Sequence, residues 1–161
     1  MSISTRIREL LDIEGAVYQH HRHPVTFTAK KTADSVQIPE GEMLKTLIVN
    51  ADGLLRMAVI PANCVLDLKH MKFIMRPENI RMATEKELND AFPDCEIGAM
   101  PPFGSLFGLP VYCDVRLANN DFVEFNAGTH SDTIRMAFEE FKRVASPIMT
   151  DIVDHYPSRA A

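Results

Sequence analysis

The run Met43-Leu44-Lys45-Thr46-Leu47-Ile48-Val49 constrains this chain more than any other segment. A strand this apolar is covered on both faces and is therefore central. Ala51-Asp52-Gly53 follows it, a strong hairpin signal, and Leu54 to Ile60 reads as the returning strand. A central hairpin of this kind needs other elements on both of its sides.

The flanking sequence supplies them. Ser4 to Glu14 reads as an amphipathic helix, with Ile7, Leu10 and Leu11 on one face and Gly15 as its stop. Val17 to His21 is a short strand, broken by His23-Pro24. Thr28 caps a helix over Ala29 to Val36, and Val65 to Met75 has helical spacing. Thr84-Glu85-Lys86-Glu87 is a capping box opening a helix to Phe92. Leu109 to Leu117 is a strand, Asn119-Asn120-Asp121 a turn, and Phe122 to Asn126 its expected antiparallel partner. Thr133 to Ala137 fits strand or helix, and Phe138 to Ala145 is helical.

This mixture of hairpins and helices predicts an α/β (α+β) domain with a curved mixed sheet or partial barrel packed by helices. The 161 residues fit a single domain, since domains run to roughly 100–200 residues. The expected boundaries are a domain over 1–150, with Pro147 closing the ordered part, and a flexible tail over 151–161.

Apolar residues make up 46% and charged residues 24%, which is globular rather than disordered composition. The net charge of −5 argues against a protein that grips long nucleic acid across its whole surface, so any RNA contact is local. Cys64, Cys95 and Cys113 are odd in number and widely spaced, neither a disulfide framework nor a zinc knuckle. Reduced thiols imply a cytoplasmic protein. Arg6, Arg8 and Glu9 interrupt any signal-peptide stretch. No run approaches the roughly 20 apolar residues of a membrane helix, so no membrane partner is expected.

Lys45 is the first candidate for chemistry. A lysine in so apolar a strand must reach solvent, a partner or a ligand, because an unpaired buried ammonium is costly. It snorkels at the strand's start or binds an anion at a pocket mouth. The second candidate is Gly98-Ala99-Met100-Pro101-Pro102-Phe103-Gly104. Its glycines let backbone amides approach a ligand, and its prolines hold one shape. It is a rigid turn or a site for a developing oxyanion. The 14 residues from Glu96 to Leu109 carry no charge except Glu96, which is costly for a surface loop. The third candidate is Gly128-Thr129-His130, a turn histidine or one that orients a water or a substrate amine.

The cluster His20, His21 and His23 has no cysteine or acidic residue near it in sequence, so no metal is expected. Ser105, Ser131 and Asp132 lack the GxSxG elbow of a serine hydrolase. Lys69, Lys72, Arg76 and Arg81 form a basic stripe that solvates helices or meets phosphates.

Three pieces recur in a fixed order: Lys45-Thr46-Leu47, then Gly98 to Gly104, then Phe125-Asn126-Ala127-Gly128-Thr129-His130. Together they resemble the YbaK/prolyl-tRNA-synthetase-associated editing-domain family, over roughly Ile7 to Pro147. The resemblance implies an aminoacyl-tRNA deacylase that clears mischarged tRNA without metal or cofactor. It implies Lys45, Gly98 and His130 as catalytic residues. It implies Thr46, Ala99, Met100, Pro101, Pro102, Phe103, Gly128 and Thr129 as substrate-binding residues. Lys45 would contact the phosphate or ribose at the tRNA 3′ end, the Gly98–Pro102 loop the aminoacyl carbonyl, and His130 the amino acid. The implied partners are the aminoacyl-tRNA 3′ end and a recruiting synthetase, with the protein a monomer or weak dimer. Thr46 resembles members that clear cysteine, whereas Gly128-Thr129-His130 resembles the synthetase-inserted branch, so the two signals point to different amino acids. A non-catalytic module binding a nucleotide, an aminoacyl-adenosine or a synthetase on the same fold is the alternative.

Overall fold

A computed structural model describes residues 3–155. In chain order the elements are α1 (Ile3–Ile13), β1 (Tyr18–Arg22), α2 (Ala29–Ser35), β2 (Leu44–Ala51), β3 (Leu54–Pro61), α3 (Leu68–Met75), β4 (Ile80–Met82), α4 (Glu85–Ala91), β5 (Val111–Asp114), β6 (Phe122–Asn126), β7 (Asp132–Ala137), α5 (Phe138–Ala145) and β8 (Ile148–Thr150). Among the described residues no helix is long and apolar enough to cross a membrane.

The strands form two sheets. A five-stranded mixed sheet has the order β4-β2-β3-β5-β8, and a three-stranded antiparallel sheet the order β1-β7-β6. Met43 bridges to Glu124 between them. The mixed sheet packed by helices is as expected, but neither sheet closes into a barrel.

The central hairpin forms because Asp52 and Gly53 both adopt positive φ, 53° and 87°. That pair makes a tight turn whose twist matches the strands. Its ladder runs from Leu44↔Pro61 to Ala51↔Leu54. β2 and β3 are covered on both faces, as the apolar run requires. Leu44, Ile48, Met57 and Val59 enter the larger core with Ile7, Leu11, Phe103, Phe125 and Phe141. Val49, Ala58 and Ile60 enter a second core with Met71, Ile152 and Val153.

Local signals hold well. Thr28 accepts a hydrogen bond from the Lys31 amide and caps α2. The Thr84–Glu87 capping box is present with both of its hydrogen bonds. Residues 133–137 are strand, within β7.

Non-local expectations fare worse. β6 does not pair with the strand before it. It pairs antiparallel with β7, whereas β5 runs parallel to β3 and β8. The segment expected as strand to Leu117 turns into a 3-10 helix at Val115, capped by Asp114. Helix α3 starts at Leu68, later than Val65, because Asp67 caps it.

Order also continues past Pro147 and past 150. Ile152 and Val153 are buried, and Val153 bridges to Leu66. The fully buried Asp114 carboxylate holds this segment, accepting from the Ile152 amide at 3.0 Å and the Arg116 amide at 2.9 Å. The part of the expected tail over 156–161 lies outside the described residues.

Candidate functional site

The start of β2 opens into a cleft of about 360 Å³. Phe27, Thr28, Ala29 and Lys30 form one wall, Lys45, Thr46, Leu47 and Ala62 the strand side, and Gly98 and Asn126 complete the lining. Lys45 and the Gly98 loop, far apart in sequence, therefore share one cavity.

Lys45 Nζ donates to the Cys64 carbonyl at 2.8 Å. Its half-burial holds the ammonium below the ordinary lysine range; Lys30 adds to this and Cys64 opposes it. A partly desolvated cation with one neutral partner retains capacity for an anion.

The loop places Gly98 at the cleft with φ +87°, where a side chain is strained. The Gly98 amide makes no hydrogen bond to another described residue. The rest of the loop faces inward. Ala99, Met100, Pro101, Pro102 and Phe103 are buried. Phe103 stacks edge-on against Phe125 at 5.2 Å and lies 5.9 Å from Phe141. The lack of charge in this segment thus comes from core packing. Gly104 is required by close approach, since a Cβ there would lie 2.1 Å from the Leu109 carbonyl oxygen.

His130 stands behind Gly98 and outside the cleft lining. It is buried, and its Nε2 lies 2.7 Å from the Ile97 carbonyl. That nitrogen must carry the proton, since a carbonyl only accepts. A Cβ on Gly98 would lie 3.5 Å from His130 Cε1. The exposed Phe27 ring packs 5.1 Å from the imidazole. Gly128 ties the same loop through two backbone bonds, its amide to Ala99 and its carbonyl to Glu96, each 2.9 Å. The Thr129 hydroxyl is committed to Asp132 at 2.6 Å. The structure thus brings Lys45, Thr46 and Gly98 onto one cavity, with His130 and Gly128 bracing it. It puts Ala99, Met100, Pro101, Pro102 and Phe103 in the interior and Thr129 in a turn.

Sequence reading missed Phe27, Lys30 and Asn126 as lining residues. Asn126 lies inside the third motif, yet nothing in the chain marks it. What marks it is that its buried Oδ1 has no partner.

Protein nucleophiles are scarce here. Burial pushes the Cys95 and Cys113 thiols up to about 12, and burial likewise raises Cys64. Neutral thiols are poor nucleophiles. Among the described residues no three His, Cys, Asp or Glu side chains gather as a metal site. The histidines near the first strand are separately engaged, His20 on Asp132 at 2.8 Å and His21 on Glu124 at 3.1 Å. A second hollow of about 240 Å³, lined by Arg8, Tyr18, His20, Arg22 and Asp132, is a weaker candidate. Asp132 there is already held by His20, Arg22 and Thr129.

The family model described as "aminoacyl-tRNA editing domain" matches residues 23–144. The chain belongs to this family. The match covers β2, the Gly98 loop and the Gly128–His130 turn. Solved structures agree on the fold. A protein described as a candidate trans-editing enzyme for prolyl tRNA synthetase superposes with a TM-score of 0.85 at 23% identity, covering 96% of this chain and 98% of that one. A hypothetical protein gives 0.84 at 20% identity, covering 92% and 99%. A candidate signal transduction protein from Marinobacter aquaeolei VT8 gives 0.75 at 18% identity, with 92% of this editing-domain chain aligned to 30% of that one. A search of the curated proteins finds no match.

Proposed function

We propose that this editing domain is an aminoacyl-tRNA deacylase, hydrolysing the ester between a wrong amino acid and the 3′ ribose of tRNA. The observation that carries the reading is a cleft in which Lys45 has one neutral carbonyl partner and the Gly98 amide is unbonded. Lys45 offers an ammonium for the terminal phosphate or ribose. The Gly98 amide offers a donor to the carbonyl oxygen as negative charge develops on it. His130 and Gly128 hold that amide in place, so little reorganisation accompanies the reaction. Thr46 and the wall from Phe27 to Lys30 contact the aminoacyl group and the terminal nucleoside.

Attack of a water oxygen on the ester carbon gives a tetrahedral oxyanion. Its collapse breaks the bond to the ribose oxygen, which takes up a proton, and frees the amino acid. An activated ester needs positioning and oxyanion stabilisation more than a protein nucleophile. The raised cysteine thiols fit that mechanism. A net charge of −5 disfavours broad tRNA binding, so a synthetase partner supplies added affinity.

The test is a panel of Ala-, Cys-, Ser- and Thr-charged tRNAs incubated with the protein. Loss of acyl label, slowed about a hundredfold by Lys45→Ala, is expected. No loss with any of the four would overturn the deacylase reading. Stabilisation by aminoacyl-adenosine analogues without turnover would replace it with a binding module.

A further inference from the structure

Six buried side-chain atoms among the described residues have no hydrogen-bond partner: His23 Nε2, Arg56 Nε, Asp94 Oδ1, Glu124 Oε1, Asn126 Oδ1 and Arg135 Nη1. Several belong to groups bonded through another atom. Asp94 binds Arg6 at 2.8 Å, Glu124 and Arg135 face each other at 3.7 Å, and His23 Nδ1 lies 2.7 Å from the Pro24 carbonyl. Only Asn126 lines the cleft. Its carboxamide makes no hydrogen bond to any other described residue. A buried carbonyl oxygen left unpaired is destabilising, so an orphan on a residue that lines the cavity points to a ligand.

The cleft's chemistry says which part of the ligand. Lys45, Lys30 and the Gly98 amide are donors, suited to phosphate and to carbonyl oxygen. No carboxylate lines the cavity. The Thr28 hydroxyl is occupied by the Lys31 amide at 3.1 Å. The Thr46 hydroxyl is both donor and acceptor and can rotate to either role. The Asn126 oxygen only accepts. An aminoacyl ester carries one strong donor, its α-ammonium, and a charge-assisted bond to that group satisfies the orphan best.

The backbone that carries the carboxamide is held in place. Asn126 ends β6 in register with Thr133, and the Ala127 amide donates to the Asp132 carbonyl at 3.0 Å. The next residue, Gly128, is bonded to the Gly98 loop on both sides. The acceptor and the oxyanion donor thus belong to one rigid unit.

We propose that Asn126 receives the α-ammonium of the aminoacyl group, so that the site accepts esters with a free amino terminus and rejects N-acylated ones, peptidyl esters included. This rests on the deacylase reading of the cleft.

Two probes test it: 3′-(L-alanylamino)-3′-deoxyadenosine and its N-acetyl derivative, with the L-cysteinyl pair run in parallel. Calorimetry on the wild type, Asn126→Ala and Asn126→Leu gives the affinities, and a thermal melt checks folding. The wild type is expected to bind the free amine at least about tenfold more tightly than the acetylated probe. Both variants are expected to lose that preference, with affinity for the acetylated probe unchanged. A preference that survives in both variants, or an equal loss for both probes, overturns the proposal while leaving the deacylase reading intact. A wild type that binds all probes without regard to the amine also overturns it. If the wild type binds none of them, the reading of the cleft itself fails, and the proposal with it.

Discussion

Strand β2 joins two polar regions of opposite character. At its C-terminal end Asn50 is fully bonded: Nδ2 donates to Glu87 at 2.6 Å, and Oδ1 accepts from the Gly53 amide at 2.8 Å. Glu87 in turn takes Arg81 and the Thr84 amide, and Asp52 takes the amides of Glu78 and Asn79. At its N-terminal end, the cleft leaves the Asn126 carboxamide and the Gly98 amide unbonded and gives Lys45 a single carbonyl partner. Both ends hold an asparagine beside a tight turn. The difference separates a network that stabilises the fold from one that waits for a ligand, and it distinguishes the two without any appeal to residue type.

Substitutions can break that contrast. The largest effect is expected from Lys45→Ala, a fall of about a hundredfold in deacylation with the melting temperature nearly unchanged. A variant that instead unfolds would make Lys45 a structural residue. Next, Asn50→Leu is expected to cost about 1–3 kcal/mol, because it strands the Gly53 amide and one Glu87 contact. Asn126→Leu, an orphan replaced by an apolar group of similar shape, is expected to leave stability unchanged or raise it. Denaturant titrations of the two should diverge, and equal losses would erase the distinction between the ends. Gly98→Ala is expected to cost about 1–2 kcal/mol from its positive φ and to slow turnover. Proportionate loss of activity and stability would show the strain alone at work.

The smallest effect concerns pH. Hydrogen bonds from Arg81, then from Thr84 and Asn50, hold the Glu87 carboxyl down to about 2 from an ordinary 4.5. A depressed carboxylate contributes stability above its unfolded value and loses it as pH falls toward the folded one. Acid titration of the wild type between those values should therefore show a loss that Glu87→Gln flattens. Asn126 variants keep Glu87 and its partners and are expected to show the same loss as the wild type.

Much of the fold was legible from short-range signals. The Asp52-Gly53 turn, the Thr84–Glu87 box and the apolar run of β2 each act within a few residues. Strand pairing was not legible, because β5 meets β3 and β8 through contacts far away in sequence. The three residues of β4 were missed because two of them, Arg81 and Met82, are exposed and present no apolar face. Within the site, Lys45 was visible as a charge out of place. The Gly98 loop was visible through its missing charges, although most of those gaps serve packing around Met100 and Phe103. Asn126 was invisible because what singles it out is a partner it lacks, which only the folded chain reveals.

The contrast between the two ends is most directly tested by amide NMR. Uniformly ¹⁵N-labelled protein titrated with 3′-(L-alanylamino)-3′-deoxyadenosine should show the Gly98 backbone amide and the Asn126 side-chain NH₂ shifting together, with the Asn50 side-chain NH₂ unmoved. Shifts at Asn50 with none at Gly98 and Asn126 would contradict the claim that the unbonded end of β2 is the ligand site.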